Sequence, residues 1–138
     1  MFNWINSANI YSRDPIVHQA NGTSGLEFTK YATSTKDDPY VVVRQLDYLQ
    51  GRLPQSWPSW REVVDESHRE NGTLLSGVYS GTEFPNLMFS VDACISKEYF
   101  ESVHSKSTEY LQNEKISQGL VNSTEYSFLK MEGGFLSR

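Results

Sequence analysis

Hydrophobic and polar positions alternate most regularly along the segment 86–95. The odd-numbered positions of this segment are all apolar: Leu87, Phe89, Val91, Ala93 and Ile95. The even-numbered positions are mixed: Met88, Ser90, Asp92 and Cys94. Because a β-strand sends alternate side chains to opposite faces, the pattern predicts a strand whose apolar face lies in the core. A second apolar run over 73–80 precedes it across a Gly- and Pro-containing turn. The two runs predict an antiparallel hairpin at the centre of the sheet.

Helical patterns flank this hairpin on both sides. Ser96 is the expected N-cap of a helix reaching Lys115, with a buried stripe formed by Tyr99, Phe100, Val103, Tyr110 and Leu111. Before the hairpin, Ser59 and Glu62 have the spacing of a capping box. That helix is predicted to reach about Glu70, and its short apolar stripe contains Trp60, Val63, Val64 and Ser67. Its acidic residues are therefore expected to face water.

Residues 39–50 carry two conflicting signals. Tyr40 and the valines after it have strand composition. Asp38 and Pro39, however, suit the start of a helix, and Gly51 suits the position after its end. A helical stripe runs through the same segment, so we predict a helix and keep a strand as the alternative.

The remaining segments complete an α+β fold. Residues 26–31 alternate and are predicted to form a strand, and Tyr126 to Met131 a last strand. Residues 1–24, the polar stretch 33–38 and the tail after Gly133 are predicted to be largely irregular. The predicted fold class is a single compact domain spanning 1–138, with a small, mainly antiparallel sheet packed against two or three helices.

Composition supports a single globular domain and excludes several classes of protein. The 138 residues are 38% hydrophobic and 13% aromatic, and no apolar run approaches the roughly 18 residues of a membrane helix. Net charge is −5 and no cluster of Lys and Arg occurs, which argues against direct nucleic-acid binding. With Cys94 as the only cysteine and no export signal visible at the N-terminus, we expect a cytoplasmic protein without disulfides.

No motif for metal, cofactor or nucleophilic chemistry is present. His18, His68 and His104 are far apart in sequence, so no metal site or cofactor is predicted. A pair of Cys94 with His104 is conceivable if the next helix folds back over the strand, although a buried structural cysteine is the simpler reading. Asp92 in mid-strand is expected to mark the solvated side of a half-covered sheet; the alternative is an enclosed face, which would raise its pKa and make it a general-base candidate.

The aromatic and acidic residues around 57–70 are the predicted partner-binding site. Large aromatics rimmed by charge are typical of interface hot spots. The predicted contact residues are Trp57, Trp60, Glu62, Asp65, Glu66 and Glu70. The acidic, aromatic-rich, motif-free profile resembles bacterial immunity proteins, which implies a protein that occludes a basic toxin or enzyme. The alternatives are an accessory or phage structural protein acting through oligomer contacts, and a small-ligand binder or enzyme with an aromatic pocket beside the central sheet.

Overall fold

One antiparallel sheet of five strands carries its helices on a single face. The computed structural model describes the backbone of residues 20–29 and all of residues 39–130. The strands are β1 (Ala20–Thr29), β2 (Tyr40–Tyr48), β3 (Thr73–Gly81), β4 (Leu87–Cys94) and β5 (Val121–Lys130). The α-helices are α1 (Trp57–Arg69), α2 (Lys97–Ser102) and α3 (Thr108–Gln118), with 3-10 turns at Leu53–Ser56 and His104–Lys106. The predicted α+β fold class is confirmed.

The strand order is β1-β3-β4-β2-β5, which is a ferredoxin-like arrangement with one added strand. From β2 onward the elements follow the order β-α-β-β-α-β, and β2 and β4 lie side by side in the middle. The predicted hairpin is confirmed as the β3–β4 pair, in which Leu75 faces Ala93 and Tyr79 faces Phe89. β4 is the third strand of the five, so its predicted central position is also confirmed.

The core lies on the opposite face of β4 from the one predicted. Met88, Ser90, Asp92 and Cys94 point towards the helices and are buried, whereas Phe89 and Val91 on the apolar parity are only half-buried. The prediction that Phe89 faces the core is therefore wrong. The physical reason is that the helix side is partly polar, and Ser90 and Asp92 on this side of β4 are paired with the side chains of Arg44 and Ser76 instead of with water.

Residues 40–48 form a strand, so the helix predicted over 39–50 is wrong and the strand alternative is correct. β2 exchanges backbone hydrogen bonds with β4 on one side and with β5 on the other. Two ladder partners outweigh the helix punctuation, which is a local preference worth little once tertiary pairing is available. Gly51, with φ of 73°, lies in the turn after the strand instead of ending a helix.

The helices begin and end differently from the predictions. α1 starts at Trp57 after Ser56, so the capping box of Ser59 and Glu62 is wrong; the Ser59 hydroxyl instead donates to the carbonyl of Ser56 at 3.0 Å. The stripe of Trp60, Val63, Val64 and Ser67 is buried as predicted.

The long helix predicted from Ser96 to Lys115 is divided into two. The Ser96 cap is confirmed, because its hydroxyl accepts from the Tyr99 amide at 3.0 Å, but α2 ends at Ser102. Ser107 caps α3 by accepting from the Tyr110 amide at 3.2 Å. The break between the helices leaves Val103 and Leu111 exposed and brings His104 into the core.

Several sequence predictions fall on the ends of the chain. The strand predicted at 26–31 overlaps β1, and the last predicted strand overlaps β5. Residues 20–24, predicted to be irregular, belong to β1. The predictions for residues 1–19, including His18, and for the stretch 33–38, Met131 and the tail after Gly133 lie outside the described residues. Within the described ranges, no helix is long and apolar enough to span a membrane.

The assignment of the two sheet faces predicts different costs for two neighbouring valines. Val42 faces the helices and is fully buried, whereas Val43 is half-buried on the other face. We expect Val42→Ala to lower the free energy of unfolding by about 2 kcal/mol or more, because a cavity forms in the core. Val43→Ala, the matched control, should cost clearly less in urea denaturation. Equal losses for the two variants would contradict the assignment.

Candidate functional site

Arg44 is the most unusual side chain of the core. It lies on the helix-facing side of β2, is 1% exposed, and its guanidinium is enclosed between two aromatic rings. The guanidinium carbon is 4.4 Å from the centre of the Trp60 ring and 4.5 Å from that of Tyr110. These distances allow cation–π attraction from α1 on one side and from α3 on the other.

The hydrogen bonds of Arg44 leave one donor group unused. Its Nε donates to the Ser90 hydroxyl at 3.0 Å, and Nη1 donates to Oδ1 of Asn113 at 3.5 Å. Asn113 is itself held by donating from Nδ2 to the Ser59 hydroxyl at 3.0 Å. Nη2 is buried and makes no hydrogen bond of normal geometry within the part of the chain that is described, although the guanidinium interacts electrostatically with the Tyr126 hydroxyl. A buried charged donor without a partner is costly, so this atom marks a place where a ligand oxygen would be stabilised.

A cleft of about 170 Å³ opens beside Arg44, between α3 and the edge strand β5. It is lined by Arg44, Leu46, Glu114, Ser117, Gln118, Thr124 and Tyr126. The Ser117 hydroxyl is a second buried polar group without a partner among the described residues. At the rim, the Tyr126 hydroxyl donates to Glu114 at 2.8 Å. The cleft therefore combines an apolar wall with two unused buried polar groups.

Exposed aromatic rings continue from the cleft along the sheet. Tyr126 and Phe128 stack with ring centres 6.0 Å apart and planes 6° apart. Phe128 stacks in turn on Tyr40 at 6.3 Å and 16°. Tyr126 and Phe128 are 41% and 56% exposed, which is high for large aromatic side chains. Parallel, exposed ring faces offer a surface on which a planar molecule can stack.

A second polar cluster lies deeper in the core, around His104. Its Nδ1 donates to Oε2 of Glu70 at 2.8 Å, and its Nε2 is 3.7 Å from Oδ1 of Asp92, which is an ion-pair distance longer than a hydrogen bond. Asp92 accepts from the Ser76 hydroxyl at 2.7 Å, and Glu70 accepts from Thr73. All three ionisable side chains are buried, so the cluster is a histidine held between two carboxylates.

The pKa values in this cluster follow from its charges. Burial alone lowers the pKa of His104, but Asp92 and Glu70 reverse this effect and raise it to about 9. Burial alone raises the pKa of Asp92, yet His104, Arg44 and the Ser76 hydroxyl hold it below its ordinary value. At neutral pH the histidine is therefore a cation and Asp92 is a carboxylate. The prediction that Asp92 lies on the solvated side of the sheet is wrong, because the side chain is 1% exposed. The alternative of a raised-pKa base is wrong as well, because its neighbours are cations and a hydroxyl donor.

Cys94 lies beside this cluster but is not a nucleophile at neutral pH. The thiol is 3.7 Å from the Thr73 hydroxyl, which also lies 3.4 Å from Nδ1 of His104. Burial raises the pKa of the Cys94 thiol to about 12, so almost no thiolate is present. Cys94 and His104 thus both contact the Thr73 hydroxyl, and the reading of a buried structural cysteine is the one the structure supports.

The predicted partner-binding residues do not form one exposed patch. Trp60 is buried against Arg44, and its Nε1 donates to the Tyr48 hydroxyl at 3.0 Å. Trp57 is half-buried and packs on the core, and Glu70 is buried beside His104. Only the acidic residues between them remain at the surface. Glu62 and Asp65 line an open groove with Glu109 of α3, and Glu66 pairs with Arg69 at 3.0 Å.

Sequence patterns missed Arg44 altogether, and they gave His104 only as a conceivable partner of Cys94. Arg44 was hidden because its segment was predicted to be a helix, and His104 because it fell inside a helix predicted to be continuous. Polar residues on the same parity as buried apolar ones, Arg44 in β2 and Ser90 and Asp92 in β4, are the signal that could have revealed the polar core. These positions become neighbours only when β2 pairs with β4.

Comparison with known proteins identifies solved structures of the same fold. No protein-family model and no curated protein matches the sequence. A candidate monooxygenase from Fusobacterium nucleatum aligns with a TM-score of 0.67 and 12% identity over 82% of this chain and 49% of its own. One from Lactobacillus acidophilus aligns with a TM-score of 0.64 and 14% identity over 76% of this chain and 49% of its own. A candidate antibiotic biosynthesis monooxygenase from Nitrosomonas europaea has a TM-score of 0.65 and 12% identity over 70% of this chain and 93% of its own.

At these identities the likeness concerns the fold. This chain spans about half the length of the F. nucleatum and L. acidophilus proteins. The hypothesis of an immunity protein or toxin inhibitor is nevertheless wrong, because the similar structures carry monooxygenase names. Two of the predicted contact residues, Trp60 and Glu70, are also buried. The alternative of a small-ligand binder or enzyme with an aromatic pocket is the better supported one.

The His104 cluster predicts that stability depends on pH. Because the folded pKa of about 9 exceeds the reference value of 6.5, the stabilisation is complete below pH 6.5 and is lost as pH rises through 9. We expect the wild-type free energy of unfolding to fall over this interval by up to about 3 kcal/mol. Urea denaturation at several pH values measures this free energy. His104→Gln should remove most of its pH dependence, and His68→Gln, an exposed control, should retain it. A wild-type free energy that does not change with pH would contradict the placement of His104 between two carboxylates.

Burial of Cys94 predicts a slowly reacting thiol. In the native protein we expect labelling by a thiol-specific reagent to be at least about 100-fold slower than in urea, because the thiol is inaccessible and protonated. A Ser102→Cys variant supplies an exposed thiol on the same protein and should label rapidly at that position alone. Equal native rates at the two positions would show that the strand is not protected.

Proposed function

We propose that the protein binds a small planar organic molecule carrying a negatively charged oxygen, in the cleft between α3 and β5. The observation that carries the proposal is the Nη2 group of Arg44, which is buried, charged and without a hydrogen-bond partner in the described structure. A carboxylate or phenolate oxygen placed there would receive a charge-assisted hydrogen bond in a site of low dielectric constant.

The charges around the cleft support an anionic group at this position. Arg44 forms no ion pair with a carboxylate of the described residues. Asp92, on the same face of the sheet, interacts with it electrostatically but is engaged by His104 and Ser76. Glu114 lines the cleft as well, where the Tyr126 hydroxyl donates to it. The ligand oxygen would therefore approach Arg44 from the side of Ser117, whose free hydroxyl can add a second hydrogen bond.

Size and surface chemistry support a planar ligand. The cleft volume of about 170 Å³ is close to that of a cavity which accommodates one benzene ring, roughly 150 Å³. The ring of Tyr126 forms one wall and stacks on Phe128 beyond it. A single-ring aromatic acid or phenol fits this combination, and a larger ring system could extend over the exposed aromatic row.

Monooxygenation of the bound molecule is a second candidate function. The observation that favours it is the fold shared with structures named as candidate monooxygenases, one of them for antibiotic biosynthesis. Because a fold hosts many activities, this candidate rests on analogy until a reaction is measured. Oxygen uptake with phenolic substrates, recorded with wild type and with a variant whose cleft is blocked, tests it directly.

The binding proposal is tested by blocking the cleft from the edge strand. Thr124 lines the cleft, and Ser123 lies on the opposite face of the same exposed strand. We expect calorimetry to show benzoate or 4-hydroxybenzoate binding to wild type, at least about tenfold weaker binding of neutral benzyl alcohol, and no binding to Thr124→Trp. Ser123→Trp, the matched control, should bind as wild type does. Equal affinities of the two tryptophan variants would overturn the proposed site.

A further inference from the structure

The two buried polar clusters are connected through one carboxylate. Oδ1 of Asp92 lies 3.7 Å from Nε2 of His104. Asp92 also interacts electrostatically with Arg44, which lies on the adjacent strand two residues from Val42, the residue opposite Asp92. His104 itself is anchored to Glu70 at 2.8 Å. A continuous series of buried charges thus runs from the end of α1 through the 3-10 turn and β4 to the floor of the cleft on β2.

We propose that His104 is a positioning residue for ligand binding at Arg44, because its positive charge engages Asp92 and leaves the guanidinium available to the ligand. This inference rests on the proposed function and deepens it. His104 does not line the cleft, so it acts only through Asp92. Without the imidazolium, the negative charge of Asp92 acts on Arg44 alone, which neutralises the cation and repels an anionic ligand.

The charge balance of the enclosed groups supports this role. With His104 protonated, the cations His104 and Arg44 match the carboxylates Glu70 and Asp92. Loss of the histidine proton leaves an excess negative charge inside the core. An anionic ligand would then have to enter a region of its own sign, in which the low dielectric constant strengthens repulsion.

The other groups packed against His104 do not replace it in this role. β3 contributes the Thr73 hydroxyl, which in turn contacts the Cys94 thiol of β4, and α2 contributes the apolar ring of Phe100. α3 contributes Tyr110, whose ring centre is 5.2 Å away and whose pKa is raised by burial. Among the described residues, His104 is therefore the group in this cluster whose charge changes between pH 7.5 and 10.

The test measures benzoate affinity as a function of pH. Benzoate stays ionised throughout, so changes report on the protein. We expect wild-type affinity to fall about tenfold between pH 7.5 and 10, a coupling of ordinary size between two sites. His104→Gln should bind benzoate weakly and with no such slope, and His68→Gln should behave as wild type. A His104→Gln variant that keeps wild-type affinity and slope would overturn the proposal.

A ligand-free measurement separates this inference from the proposed function. The NMR signal of the Arg44 Nε group should shift with a midpoint near pH 9 in wild type, where His104 loses its proton, and should not shift in His104→Gln. If benzoate binds at no pH, the proposed function fails while this titration still decides the coupling. If the Arg44 signal does not respond to pH in wild type, the inference is wrong even when benzoate binds. Because this measurement uses the wild-type protein, it decides the question even if His104→Gln does not fold.

Discussion

The positive charge of Arg44, removed from water in the middle of the sheet, is the constraint on which the rest of the structure depends. Burying a guanidinium is expensive unless aromatic faces, hydrogen bonds and opposite charges replace its hydration. Here α1 contributes Trp60, α3 contributes Tyr110 and Asn113, and β4 contributes Ser90 and Asp92. Each of these elements therefore has to lie where it does, and the two helices are tied to the sheet through one side chain.

The same requirement explains why the helix after the hairpin is broken. A continuous helix from Ser96 would carry on past His104 without the turn that brings it under the sheet. The 3-10 turn at His104–Lys106 places the imidazole between Glu70 and Asp92, and Ser107 then restarts the helix so that Tyr110 reaches Arg44. The irregular backbone is the means by which two cations and two carboxylates meet in one small core.

The fold of this protein does not by itself identify its function. The ferredoxin-like arrangement is shared with structures that carry monooxygenase names, but at 12–14% identity it brings no residue roles with it. The features that bear on function are therefore this chain's own: an unpartnered guanidinium nitrogen, an unpartnered serine hydroxyl and exposed stacked rings around one cleft. Their chemistry is the basis of the proposal that an anionic planar molecule binds there.

The sequence by itself determined the features that depend on neighbours along the chain: the β3–β4 hairpin, the buried stripe of Trp60 and Val63, and the Ser96 cap. It could not determine which face of β4 is the core, because the alternation of Leu87, Phe89 and Val91 measures hydrophobicity and not the presence of hydrogen-bond partners. Arg44, Asp92 and His104 are distant in sequence, and each taken singly is typical of a solvated position. These charges come together only when β2 pairs with β4 and the broken helix folds over both strands. Charges neutralise each other through tertiary contacts, and such contacts between distant residues cannot be read from the order of residues along the chain.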